Sequence, residues 1–285
     1  VLLKQRRLLG LQYAMSGCRT LSWSIAMPKF AANLSMMFTE HDFLDRFEAA
    51  ANAGFDAVEF LLPYDYPAAE IKSRLHSHGL QQALFNLPSG DWAAGDRGFA
   101  ALPGRQADFA AAVDKGLDYA DVLGNQLVHA MSGIPGPDAD LQECHQVAIE
   151  NLRMAAEKAA ARGKTIIIEP LNTRDNPGYF LTSQAQARSL IEAVGHDNLG
   201  LQFDLYHCQI MEGDLAQHLH DYFDLIRHIQ IAGVPGRHEP TNGEINHRFL
   251  FELMDRLGYA GWVGCEYRPA GATVDGLAWI KEYLS

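Results

Sequence analysis

From residue 27 onward the chain alternates short apolar runs with longer amphipathic stretches, eight times over, and few folds satisfy that rhythm. The short runs lie at 30–37, 57–62, 82–86, 126–130, 165–171, 199–204, 228–232 and 262–267. Each is rich in β-branched or large apolar residues and bounded by Gly, Pro or polar residues, as strands are. The intervening stretches, 42–52, 67–78, 105–123, 141–161, 183–194, 215–222, 244–257 and 274–284, read as helices. In the first, Phe43, Phe47 and Ala50 share one face, and Gly54 follows as a stop signal. Eight strand–helix units in about 250 residues predict an α/β protein with a single (β/α)₈ TIM barrel. A doubly wound open sheet is the next choice, but the turn after its first strand should be glycine-rich. Here that segment is Met36-Met37-Phe38-Thr39-Glu40, without glycine.

One barrel nearly fills the 285 residues, so the fold is assigned to 27–285. Residues 1–26 carry Lys4, Arg6, Arg7 and Arg19 and no acid, and lack a clean apolar core like that of a secretory signal. They read as a basic extension outside the fold, with Met27 opening a segment that looks like a natural start. No apolar run approaches the roughly 20 residues of a membrane span. The net charge of −12 disfavours a nucleic-acid partner and leaves small molecules, including anions held by a metal or a few arginines. Cys18, Cys144, Cys208 and Cys265 are scattered without a CxxC pair, which predicts no disulfide framework and a cytoplasmic location. Composition leaves a homo-oligomer open.

The chemistry-bearing residues stand at strand C-terminal ends, where a barrel places its active site. Glu169 follows Ile166-Ile167-Ile168, Asp204 follows Leu201-Gln202-Phe203, Gln230 follows Arg227-His228-Ile229, and Glu266 follows Val263-Gly264-Cys265. Successive members are separated by about one βα unit, so all four belong at one height around half of the barrel mouth. Three carboxylates aimed at one centre repel one another and raise their own pKa values unless a cation joins them. Carboxylate and amide oxygens form a hard ligand set suited to Mg²⁺ or Mn²⁺. His207, three residues past Asp204, is expected in the following loop, near the metal and any substrate oxygens. His129 and Asn86 end the fourth and third strands and face the same centre. Arg237 follows the seventh strand and could clamp a substrate carboxylate. Glu59 faces the mouth if its strand is in register. The Gly/Pro-rich connection 87–104 is long enough to be a functional lid or binding loop. Serine-hydrolase elbows and phosphate-binding loops have no counterpart in the sequence.

The segments IIIEPLN, LQFDLYHCQ, HIQIAGVPGRHEP and GWVGCEYRP, with FAANLSMMFTE, AGFDAVEFLLPYDYP and GEINH, resemble the hydroxypyruvate isomerase family of the xylose-isomerase-like TIM barrels, including 2-oxo-tetronate isomerase-like members. The resemblance covers 27–285. It implies that Glu169, Asp204, Gln230 and Glu266 are the metal ligands, with Glu169 and Glu266 doubling as catalytic acid/base groups. His207, Arg237, His129, Asn86 and Glu59 would then contact a small sugar acid. The implied reaction takes hydroxypyruvate to tartronate semialdehyde, or 2-oxo-tetronate to 3-oxo-tetronate, through an enediolate. Related ketose 3-epimerases carry histidine where this chain has Gln230, which lowers the epimerase reading and shifts the ligand set toward oxygen. A ketose 3-epimerase, an inosose dehydratase, a multi-zinc endonuclease of this fold, and a non-catalytic sugar-acid-binding barrel are the alternatives. A metal-assisted hydride shift is the alternative to proton transfer.

Overall fold

The structure is a computed structural model that describes residues 28–241, 243–281 and 283–284. The basic extension and Cys18 lie outside the described residues. Eight strands, β1 (Lys29–Asn33), β2 (Ala57–Glu59), β3 (Gln81–Asn86), β4 (Leu127–His129), β5 (Thr165–Ile168), β6 (Leu199–Asp204), β7 (Ile226–Ile231) and β8 (Trp262–Cys265), close into one barrel in sequence order. Every neighbouring pair is parallel, including the β1–β8 closure. Helices α1 (Arg46–Asn52), α2 (Ala68–Ser77), α3 (Gln106–Leu123), α4 (Leu141–Ala160) and α5 (Gln184–Val194) follow the first five strands. Two helices, α6 (Leu205–Met211) and α7 (Leu215–Tyr222), follow β6, and α8 (His247–Leu257) follows β7. Among the described residues no helix is long and apolar enough to cross a membrane.

The eight-unit rhythm of the sequence is the observed fold, with element ends shifted by a few residues and three differences that matter here. The first strand ends at Asn33 instead of Met37, because Asn33 turns the chain: its side-chain oxygen accepts from Ser35 N at 3.1 Å, and its carbonyl accepts from Met36 N and Met37 N. The last amphipathic stretch forms a 3₁₀ helix, Thr273–Ile280, in place of an α-helix over 274–284. And α6 forms around His207, where the sequence predicts a loop. It starts at once because Asp204 caps it, accepting from Tyr206 N at 2.6 Å and from His207 N at 3.4 Å.

The two faces of each strand divide the labour. Phe30, Ala32, Val58, Ile166, Ile168, Leu201, Phe203, Ile229, Ile231, Val263 and Cys265 pack outward in the main apolar core with the helices. Phe30 anchors the closure seam, meeting Phe251, Trp279 and Tyr283 edge-on at centroid distances of 5.1–5.4 Å. Such aromatic pairs are worth about 0.5–1.5 kcal/mol each beyond their burial.

The inner face changes character with height. Low in the barrel sit Ala31, Ala57 and Ala83, with Trp262 packed on them. Two residues further along β1 and β2 the lumen turns polar, with Asn33 and Glu59 in register on the paired strands. Glu59 Oε1 accepts from Asn33 Nδ2 at 2.9 Å and from Gln230 Nε2 at 2.7 Å, and its Oε2 accepts from His228 Nε2 at 2.7 Å. Strands β2 and β7 are not neighbours, so these bonds cross the lumen, where the carboxylate is 1% exposed. A buried carboxylate survives only with such donors.

Gly264 is what admits it. A Cβ at 264 would stand 2.3 Å from Glu59 Oε2. Gly264→Ala should therefore destabilise the protein by about 2–3 kcal/mol through overpacking of a rigid interior. Urea denaturation midpoints measure this; a shift below about 0.5 kcal/mol would show that Glu59 can move aside freely.

Candidate active site

Strand register explains why the polar residues converge. Asp204 pairs with Gln230 across β6 and β7, and Gln230 pairs with Gly264 across β7 and β8. Asn86 pairs with His129 across β3 and β4. Glu169 and Glu266 each stand one residue beyond the end of their strand, while Gln230 stands one residue before the end of β7. The result is a compact cluster: Glu169, Asp204, His207 and Glu266 each offer a ligand-type atom, and these atoms all lie within 4.8 Å of one another. A cavity of about 270 Å³ opens beside them, lined by Asn86, His129, Glu169, His207, Arg237 and Glu266 among others.

The carboxylates are held from below and behind. Asp204 spends Oδ1 on capping α6, which leaves Oδ2 buried without a hydrogen-bond partner among the described residues. Glu169 Oε1 is likewise buried and bare, and Oε2 stands 3.7 Å from His129 Nδ1. Glu266 accepts from Asn33 Nδ2 at 3.4 Å and, more tightly, from Arg237 Nη2. Arg237 also lies 3.9 Å from Asp204 and 4.0 Å from Asp175, with its guanidinium over the ring of Tyr206. It reaches this position from a backbone at φ 55, a left-handed conformation rare for a residue with a Cβ.

Burial in this pocket disfavours every charge. It pushes the pKa of Glu169 well above the ordinary carboxylate range, with Glu266 and Asp204 adding to the rise. Burial also lifts Glu266, to about 8, although Arg237 pulls the other way. Asp204 is raised by the same desolvation, against Arg237 and its two backbone donors. Burial opposes the charge on Arg237 too, but Glu266, Asp204 and Glu169 more than compensate, and its pKa rises.

Burial disfavours the charged form of His129 and His207. Burial takes His129 down to about 3, helped by His228, and takes His207 well below the ordinary range, helped by Arg237 and His129. Hydrogen bonding favours one tautomer of His207, because the Asn172 N–H bond to Nδ1 at 3.0 Å is shorter than the 3.4 Å contact of Arg237 Nη2 with Nε2. Its Nδ1 accepts from the backbone N–H of Asn172 at 3.0 Å, so in the neutral ring Nε2 carries the proton. That N–H stands 3.7 Å from Asp204 Oδ2 and is a donor for a bound oxygen atom. His129 Nδ1 sits 3.2 Å from Asn86 Oδ1, leaving Nε2 as a buried acceptor without a partner among the described residues.

The nine residues singled out from the sequence thus divide. Glu169, Asp204, Glu266, His207 and Arg237 form one contact group, and His129 and Asn86 line the same cavity. Gln230 and Glu59 stand in the lumen network: Gln230 Oε1 accepts from Gln202 Nε2 at 2.5 Å while its Nε2 donates to Glu59. Sequence reading passed over Asn33, Asn172, Asp175, Gln202 and His228, which orient these groups. Asn33 and His228 lie on recognised strands, and alternation with Ala31 and Gln230 marks them as inward-facing.

The donor set fits a hard divalent cation. Two bare, buried carboxylate oxygens and a third carboxylate within 4.8 Å are close to the roughly 4.2 Å span across an octahedral ion with 2.1 Å bonds. Gln230 Oε1 keeps a second lone pair while accepting from Gln202.

A carboxyl whose folded pKa exceeds its unfolded value binds its proton more tightly when folded. Its contribution to stability is full below the ordinary value near 4.5 and is lost as pH rises toward 8, the value for Glu266. Metal-free wild type should therefore weaken between pH 5 and 8, and Glu266→Gln, which needs no proton, should weaken less. Parallel urea-midpoint curves for the two proteins would contradict this.

The model of the xylose isomerase-like TIM barrel family matches residues 47–283. A 2-oxo-tetronate isomerase from Cupriavidus necator is 58% identical over 90% of this chain and 99% of its own. A hydroxypyruvate isomerase from Escherichia coli is 46% identical over 90% of this chain and 100% of its own. A crystal structure described as AP endonuclease, family 2, from Brucella melitensis superposes with a TM-score of 0.89 at 51% identity, covering 91% of this chain and 100% of that one.

Proposed function

The chain belongs to the xylose isomerase-like TIM barrel family and is an isomerase; within that family we propose that it interconverts 2-oxo-tetronate and 3-oxo-tetronate, with hydroxypyruvate to tartronate semialdehyde as the three-carbon form of the same reaction. The observation that carries this reading is the clustering of Glu169, Asp204 and Glu266 with His207 within 4.8 Å, beside one small cavity that Glu169, Glu266, His207 and His129 line. Relatives bearing the four-carbon name, 48–58% identical, favour 2-oxo-tetronate over its three-carbon analogue. Free, buried Cys144, Cys208 and Cys265 suit the reducing cytoplasm.

Glu169, Asp204, Gln230 and Glu266 would hold the divalent metal, Mg²⁺ or Mn²⁺, by oxygen. When bound, it polarises the substrate carbonyl and stabilises developing negative charge on oxygen as a Lewis acid.

The chain's own residues perform the rest. One glutamate of the Glu169/Glu266 pair removes the proton from C3, and the electron pair moves into the C2–C3 bond as the C2 carbonyl becomes an enediolate oxygen. A glutamate carboxyl then delivers a proton to C2 while the C3 hydroxyl gives up its proton, the C2 oxygen takes one, and the carbonyl re-forms at C3. Pocket desolvation raises both carboxyls toward the operating pH, where a group can both take and return a proton. His207 Nε2–H donates to a substrate oxygen as charge builds there, and His129 Nε2 accepts from a substrate hydroxyl. Asn86 holds the His129 ring. Glu59 acts from beneath, fixing Gln230 and, through Asn33, Glu266.

Purified protein should isomerise 2-oxo-tetronate, and hydroxypyruvate less efficiently, and lose activity to a chelator. Glu169→Gln should lower kcat by about 10²- to 10⁴-fold. Near-wild-type turnover with metal still bound would remove Glu169 from proton transfer. Failure on both acids, with metal restored, would sink the isomerase assignment; epimer formation from ketohexoses would replace it.

A further inference from the structure

The connection between β3 and α3 brings two side chains into the active-site cavity that the proton transfers do not use. Trp92 and Arg97 line the same space as Glu169, His207, Arg237 and Glu266. The Arg97 guanidinium lies over the Trp92 indole, 4.1 Å from the ring centroid. Its Nη1 donates to the carbonyls of Asp96 and Trp92 at 2.7 and 3.2 Å. The indole is fixed in turn, with Nε1 donating to Ser89 Oγ at 2.7 Å.

The backbone beneath is equally fixed. Gly98 N–H donates to Ser89 O at 2.9 Å, and Ala100 and Ala101 donate to the carbonyls of Met131 and Ser132 just past β4. A Cβ at Gly98 would fall 2.2 Å from Met131 O, so this close docking requires glycine. Arg97 therefore projects from a loop whose base is locked to the barrel.

Its remaining donors are free. Among the described residues, Nε and Nη2 of Arg97 have no hydrogen-bond or ion-pair partner. These two N–H groups form one edge of the guanidinium, the edge that matches a carboxylate bidentately. Arg237 cannot serve in that role, because Glu266, Asp204 and Asp175 already surround it. Arg268 lines the cavity but is exposed, and among the described residues no hydrogen bond holds its side chain.

We propose that Arg97, braced on Trp92, binds the carboxylate of the substrate and so decides that this barrel takes sugar acids instead of neutral sugars. The proposal rests on the reading of the substrate as a short 2-oxo acid. The geometry supplies the reason: Arg237 is taken up by Glu266 and Asp204, so a substrate carboxylate needs a further fixed cation away from that cluster. Stacking and two carbonyl contacts hold the guanidinium in place before the substrate arrives, so less ordering entropy is lost on binding.

The test uses the full chain with Mn²⁺ present and two inert four-carbon probes, erythronate and uncharged erythritol, titrated calorimetrically. Wild type should bind erythronate more tightly. Arg97→Met should weaken erythronate about 30- to 100-fold and leave erythritol within about threefold, with Arg97→Lys and Trp92→Leu intermediate. On the reacting acid, Arg97→Met should raise KM by a similar factor with kcat within about threefold. The proposal is overturned if Arg97→Met leaves erythronate within threefold of wild type, if it weakens both probes alike, or if wild type does not prefer the acid. Should wild type bind erythronate through Arg97 yet turn over neither 2-oxo acid, the isomerase reading fails while the anchor stands.

Discussion

Three carboxylates share one water-poor pocket, and the C-terminal end of the barrel is organised around their repulsion. At the 4.8 Å limit of their separation, two unit charges repel by about 3.5 kcal/mol at an effective dielectric of about 20. Three such pairs approach the roughly 5–15 kcal/mol that holds an entire domain folded. The charges are tolerable only with compensation, and the structure offers two kinds. Arg237 is drawn into the cluster from an unfavourable backbone conformation, and the carboxyls hold their protons to unusually high pH. A divalent cation is the third kind, and the bare oxygens of Glu169 and Asp204 suit one.

The layer below gives this cluster its precision. A barrel lumen is ordinarily filled by branched apolar side chains. Here Glu59, His228, Gln202, Gln230 and Asn33 fill it with a hydrogen-bonded network that ends on Glu266. Glu59 needs the space that Gly264 leaves, and Gly264 pairs with Gln230 on the adjacent strand. The rigidity of the network transmits position, so a change well below the substrate displaces a carboxyl that must touch it.

Much of this was legible in the sequence. Alternation of short apolar and amphipathic runs carries the barrel, because strand and helix periods are local properties of the chain. Glu169, Asp204 and Glu266 stand out because an acid ending an apolar strand is costly without a partner. Glu59 was less readable: it sits mid-run in AVEFL, and nothing local says that its partners come from β1 and β7. The short helix α6 escaped notice because its seven residues are too few for a periodic signal, although Asp204 is a capping residue by type. Arg97 lay in a loop whose length marked it as functional, but only three-dimensional packing reveals its indole brace and its free edge.

Crystals grown with Mn²⁺ and measured at the manganese absorption edge test the central claim most directly. An anomalous peak within about 2.0–2.4 Å of oxygens from Glu169, Asp204 and Glu266, lost in Asp204→Asn, is the predicted result. A peak elsewhere, or none at millimolar Mn²⁺ with the three carboxylates still clustered on Arg237, would contradict it.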